Sequence, residues 1–172
     1  APTAVNDNVS AFAGQRDAAG NVLSNDNDPD AGDSKTVTAV QAGSSASPTT
    51  PVTAGSSSTS TTPAPEAIAG TYGTLTIGAD GSFSYAINTS SATVQALAAG
   101  ATANDVFSYE MQDTAGETSV ATLTIAVTGQ NDPPVNSNPS AVTAAVNTPF
   151  NFTGSNQLSV NDVDDNLSQV IL

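Results

Sequence analysis

The residues with chemistry to offer in this 172-residue sequence are its carboxylates. There are 13 Asp and 3 Glu against a single Lys (Lys35) and a single Arg (Arg16), which gives a formal charge of −14. The acids are clustered. Asp26, Asp28, Asp30 and Asp33 sit within the nine-residue run Asn25-Asp26-Asn27-Asp28-Pro29-Asp30-Ala31-Gly32-Asp33. A second run is Asn161-Asp162-Val163-Asp164-Asp165-Asn166, and the pairs Asn6-Asp7 and Asn131-Asp132 stand about 125 residues apart. Asp105 and Asp113 flank an aromatic strand at Phe107. Loops that alternate Asp and Asn can turn several oxygens toward one point, and Ca²⁺ takes six to eight oxygens at ~2.3–2.6 Å. Like charges packed this closely repel unless a cation neutralises them. Turn chemistry alone accounts for an isolated Asp such as Asp80, and an acidic surface also serves solubility. Four Asp in one short loop exceed what a turn requires, so that loop is expected to bind a cation. It is not an EF-hand, which would need Gly at its sixth position and Glu at its twelfth.

The same composition excludes much else. Without Cys or His there is no disulfide, no thiolate or imidazole catalyst and no usual zinc ligand. Any metal must be held by oxygen, which points to Ca²⁺ or Mg²⁺. Two cationic side chains cannot neutralise a phosphate backbone or an anionic lipid surface, so nucleic acid and membrane docking are not expected. No stretch approaches the ~20 apolar residues of a membrane span. Paired carboxylates such as Asp28 and Asp30 could in principle cleave glycosides, yet nothing suggests an apolar cleft that would split their pKa values. Asp28-Pro29 and Asp132-Pro133 are candidate bonds for calcium-triggered self-cleavage, against the simpler account that Pro follows Asp in ordinary turns. No catalytic site is therefore expected.

The elements that must carry these loops are strands. Leu75 and Ile77, then Phe83, Tyr85 and Ile87, alternate with small polar residues, as do Phe107, Tyr109 and Met111 and then Leu123, Ile125 and Val127. Period-two alternation places each set on one face of a half-buried antiparallel sheet. Gly78-Ala79-Asp80-Gly81 makes residues 73–87 a hairpin, and Thr114-Ala115-Gly116-Glu117 makes a second over roughly 105–128. Val5, Val9 and Phe12, then Val22 and Leu23, then Val37 and Val40, predict three further strands. That is about seven strands in 130 residues, the size of an immunoglobulin-type sandwich. Ser91 to Ala99 reads as a helical turn closed by Gly100. Residues 43–65 are Ser/Thr/Pro-rich with almost nothing to repay ordering, and are expected to form a long surface loop that could accept O-glycans. After Asn131-Asp132-Pro133-Pro134 the pattern restarts with Val142 and Val146, Phe150 and Phe152, Leu158 and Val160, and Val170 and Leu172. These forty residues are too few to close a sandwich of ~100. The expected organisation is one β-sandwich over 1–131 and the N-terminal part of a second over 132–172, with both ends reading as cuts through a longer polypeptide.

Five segments in order resemble the VCBS repeat of large bacterial adhesins: Gly20 to Asp33, Gly70 to Tyr85, Val94 to Gly100, Asp105 to Tyr109, and Ala121 to Pro134. Residues 135–172 resemble, more loosely, the start of a neighbouring cadherin-like repeat. The resemblance implies an all-β, cadherin-like Greek-key sandwich strung in tandem, exported to the bacterial cell surface and acting as an extender in adhesion and biofilm formation. It implies Ca²⁺ at module junctions. Asp105, Asn131, Asp132, Asp162 and Asp164 would form one junction site, and Asn6, Asp7, Asp26 and Asp28 half of an upstream one. Asp113-Thr-Ala-Gly-Glu117 departs from the family turn, so the resemblance carries no ligand role to Asp113. The implied partners are neighbouring modules of the same polypeptide. Two alternatives stay open: a glycan- or protein-binding module for cell-surface partners, and a structural unit of a filament or surface layer.

Overall fold

The computed structural model describes residues 1–14, 17–30, 32–138, 141, 143–163 and 167. Val142, Val170 and Leu172, expected in strands, and Asp164, an expected ligand, lie outside them. The first sheet runs in the order β1 (Asp7–Phe12), β9 (Thr118–Thr128), β8 (Thr102–Gln112), β3 (Thr36–Ala42) and β4 (Thr50–Pro51). The second runs β2 (Ala18–Asn21), β7 (Ser82–Ile87), β6 (Gly73–Ile77) and β5 (Glu66–Ala69). Neighbours are antiparallel except β1, which lies parallel to β9. The two sheets form the expected immunoglobulin-like sandwich.

Alternation explains the core directly. Leu75, Ile77, Phe83 and Tyr85 of one sheet face Phe107, Tyr109, Met111, Leu123, Ile125 and Val127 of the other, all buried. Tyr85 and Phe107 meet edge to face with centroids 6.1 Å apart. Full burial of each aliphatic residue is worth about 1.5–3 kcal/mol, so truncating Ile125 to Ala is of the order of 2–5 kcal/mol. Val37 and Val40 are both buried although three residues apart. A β-bulge between Val37 and Ala39 inserts the extra residue that turns Val40 back into the core.

Several expectations need correction. Val22 and Leu23 form a 3-10 turn capped by Asn21, not a strand. The strand is Ala18–Asn21, whose small residues (Ala-Ala-Gly-Asn) carry no alternation to detect. Phe12 points outward at the end of β1, while Ala11 takes the buried position. The helical turn is present but short, α1 (Ala92–Gln95), with Ser91 as its cap and Val94 buried beneath it.

The Ser/Thr/Pro tract is no free loop. Thr50 and Pro51 pair with Val40 and Ala39, and Val52 is buried. Ser56 is fully buried and accepts the amide of Ala79 through its hydroxyl (3.0 Å) and that of Asp80 through its carbonyl (3.2 Å). Residues 50–58 thus strap the edge of one sheet to the β6–β7 turn of the other. Gly78 is required for that approach, because a Cβ there would lie 2.3 Å from the Ser57 backbone. Thr53, Thr59, Thr61 and Thr62 stay exposed.

Beyond residue 132, β10 (Val135–Ser137) pairs antiparallel with β11 (Ser159–Asn161). Apolar side chains remain uncovered here, with Val146 88% and Val135 64% exposed. Among the described residues, no helix is long and apolar enough to cross a membrane.

Candidate metal centre

The loop that follows the 3-10 turn and the β8–β9 turn emerge at the same end of the sandwich. Strand order dictates this: Gln112 pairs with Thr118 at that end, and Thr102 with Thr128 at the other. Asp28, Asp30 and Asp33 therefore meet Asp113, and one carboxylate oxygen from each lies within 4.8 Å of the others. Two ligands of one Ca²⁺ can be at most about 5 Å apart, twice the ~2.3–2.6 Å bond.

The local hydrogen bonds hold one oxygen of Asp113 and one of Asp28 and leave the second oxygen of each without a donor. Asp113 Oδ1 accepts the Glu117 amide (2.8 Å), closing the turn, and Asp28 Oδ1 accepts the Asp30 amide (3.0 Å). Among the described residues, Asp113 Oδ2 and Asp28 Oδ2 are the buried side-chain oxygens with no hydrogen-bond partner. Asp113 is only 6% exposed. An ionised oxygen buried without a donor is costly, and an oxygen-seeking cation removes that cost. Asp33 has its pKa raised by partial burial and by the carboxylates of Asp28, Asp113 and Asp30. The Ala1 amino group lies 3.3 Å from Asp30 Oδ2 in an exposed pair. Lys35 does not reach the carboxylates, for its Nζ donates to the Leu23 and Asp26 carbonyls. With hard oxygen donors alone, the residues fit Ca²⁺.

The remaining sequence candidates go elsewhere. Asp26 turns away from the cluster, is 6% exposed and accepts the Val5 amide through Oδ1 (2.7 Å). The Tyr109 hydroxyl lies 3.1–3.2 Å from Asp7 Oδ2, both Asp26 oxygens and the Val5 and Val22 carbonyls. One hydroxyl proton cannot serve five acceptors, so this group favours an additional proton. Burial, followed by the Asp26 charge, pushes Asp7 up to about 6, and burial likewise raises Asp26. Burial and the two carboxylates hold the Tyr109 phenol well above its ordinary value, so it stays protonated. Asn6 Oδ1 accepts the Thr122 amide (3.0 Å).

Asp105 is buried at 3% exposure and fully committed. Its oxygens accept the Thr71 and Tyr72 amides (2.7 and 2.9 Å) and the Tyr85 hydroxyl (2.5 Å), tethering the turn before β6. Asn131 and Asp132 follow β9 at the opposite end, roughly 30 Å from Asp113 at ~3.3 Å per residue. The Asn131 side chain donates to the Asp132 carbonyl there. Asp162 lies just past β11.

Asp113 is the member of this cluster to which the sequence assigned no ligand role. The available signal was positional: an Asp that opens a hairpin turn at the end of the sandwich where the acidic loop also emerges.

Residues 1–129 match the family model of the bacterial cadherin-like domain. No curated protein matches the chain.

Proposed function

The chain belongs to the bacterial cadherin-like domain family, and from that premise we propose that it is a calcium-stiffened extender module of a secreted bacterial surface adhesin, serving adhesion and biofilm formation. The family is one of structural and adhesion modules, not catalysts. The observation that carries the calcium reading is the convergence of Asp28, Asp30, Asp33 and Asp113 with a buried Asp113 oxygen that accepts no hydrogen bond. Calcium bound there would tie the loop after β2, a strand of one sheet, to the β8–β9 turn of the other, closing one end of the sandwich. The cation supplies charge neutralisation and fixed coordination geometry; the protein supplies a turn and a loop already positioned.

The second unit, 132–172, reads as the N-terminal part of a further cadherin-like sandwich. Its two-stranded ribbon and its uncovered Val135, Val146 and Phe152 support that organisation. Neighbouring modules of the same polypeptide are the partners this implies, with Asn131 and Asp132 at the connection.

The test is thermal unfolding in calcium and in chelator. At a hundredfold excess over Kd, one site adds about 2.7 kcal/mol, which is roughly 5–10 °C for a chain of this size. An unchanged melting temperature at about 10 mM calcium, well above the ~0.1–1 mM Kd of extracellular modules, sinks the calcium reading.

A further inference from the structure

The route of the chain through the sandwich has a mechanical consequence. β1 and β9 lie parallel through six residue pairs, Asp7↔Leu123 to Phe12↔Thr128. The chain enters at the start of β1 and leaves beyond the end of β9, at opposite ends of the same ladder. Tension along the polypeptide pulls these two strands in opposite directions along their common axis. Inter-strand hydrogen bonds then lie across the load and share it, and must break together. In a hairpin pulled from its open end they break one at a time.

The segment ahead of β1 is also secured. Thr3 and Asn27 exchange backbone hydrogen bonds (2.7 and 3.0 Å). The Ala4 amide donates to Ser119 Oγ (3.0 Å), and the Val5 amide to Asp26 Oδ1 (2.7 Å). Asn6 accepts from Thr122, and the Tyr109 hydroxyl approaches the Val5 carbonyl (3.1 Å). Residues 3–6 are thereby held to the start of β9 and to the acidic loop. Load entering from upstream meets these attachments before it reaches the ladder. Asp26, nine-tenths buried, is the side chain that joins the entering segment to the loop.

We propose that the β1–β9 pair, with the entering segment latched through Asp26, is a load-bearing clamp, and that this module carries tension between its neighbours. The proposal rests on the extender reading for its purpose, and its geometry is independent of calcium.

The test uses single-molecule pulling on the full chain. The sequence has no Cys, so substituted cysteines give unique handles at the exposed positions Ala1, Glu117 and Pro134. Ala1→Cys with Pro134→Cys loads β1 against β9 in shear; Ala1→Cys with Glu117→Cys peels β1 from the end it shares with β9. At equal loading rate the shear pair is expected to rupture at severalfold higher force, because the six ladder pairs share the load in shear and break one at a time in peel, and forced unfolding is governed by the unfolding barrier. Asp26→Ala, which removes the acceptor of the Val5 amide, should lower the shear force. Equal forces in the two geometries overturn the proposal, as does an Asp26→Ala variant whose shear force matches that of the parent. Both pairs are pulled in chelator and in calcium. A lost shear advantage refutes the clamp while calcium calorimetry still tests the metal site, and absent calcium binding refutes that site while the ratio of forces still tests the clamp.

Discussion

Replacing Asp113 with Asn should change the sign of its effect on stability when calcium is added. The substitution keeps Oδ1, so the Glu117 amide retains its acceptor, and it removes a buried charge whose second oxygen accepts no hydrogen bond. Asp113 faces Asp28 with carboxylate oxygens within 4.8 Å. Two unit charges at that distance repel by ~1 kcal/mol at the dielectric of water and by ~3–4 kcal/mol at an effective dielectric of 20. The site opens to solvent on its Asp30 side, so the lower part of that range applies. Without calcium, Asp113→Asn is therefore expected to stabilise the protein by about 1–2 kcal/mol. In calcium, the same change removes a charged ligand. If affinity falls about a hundredfold, most of the ~2.7 kcal/mol gained at a hundredfold excess over Kd is lost. Urea unfolding of both proteins, with chelator and with calcium, gives the four free energies needed. The reasoning is refuted if the variant is clearly less stable in chelator, or if it keeps the full calcium increment.

Two further outcomes follow from the other buried acids. Because burial raises Asp7 to about 6 from an ordinary 3.8, the folded state holds its proton more tightly than the unfolded chain does. The resulting stabilisation is complete below pH ~4, declines as pH rises toward 6 and is absent above it, and amounts to the order of 1 kcal/mol once partial exposure is discounted. Asp26 and Asp33 shift in the same direction, so unfolding free energy in chelator should decrease between pH 4 and 6, and a rise over that interval contradicts the assignment. Asp105→Ala should cost about 3 kcal/mol or more, since it leaves the Thr71 and Tyr72 amides and the Tyr85 hydroxyl without their acceptor. A denaturation midpoint matching that of the parent protein would show that Asp105 is not a tether of the fold.

Much of the sandwich was legible in the sequence because its central strands alternate. Leu75 to Ile87 and Phe107 to Val127 carry strict period-two patterns, and both hairpins stand where their turns lie. The outer strands were harder to read. Ala18–Asn21 has no alternation, and its strand character comes from pairing with Ser82 to Tyr85. Thr50–Pro51 and the buried Ser56 lie in a composition that signals disorder, yet the β6–β7 turn has backbone amides at Ala79 and Asp80 that need acceptors, and the tract supplies them.

The acids divide in the same way. Their composition and spacing by themselves determined the available chemistry: oxygen donors without Cys or His, gathered in a loop at one end of a β-sandwich, can hold a hard cation and little else. Only the tertiary structure decided which carboxylates remain free to do so. Asp26 and Asp105 look like ligands by position, and long-range packing brings amides and hydroxyls to their oxygens. Asp113 departs from the family turn, but lies 80 residues beyond Asp33, just past the end of a strand whose register carries it to the same loop. Local spacing limits which oxygens can converge. The donors that satisfy them are brought by strands distant in sequence, and a carboxylate is left for a metal where none arrives.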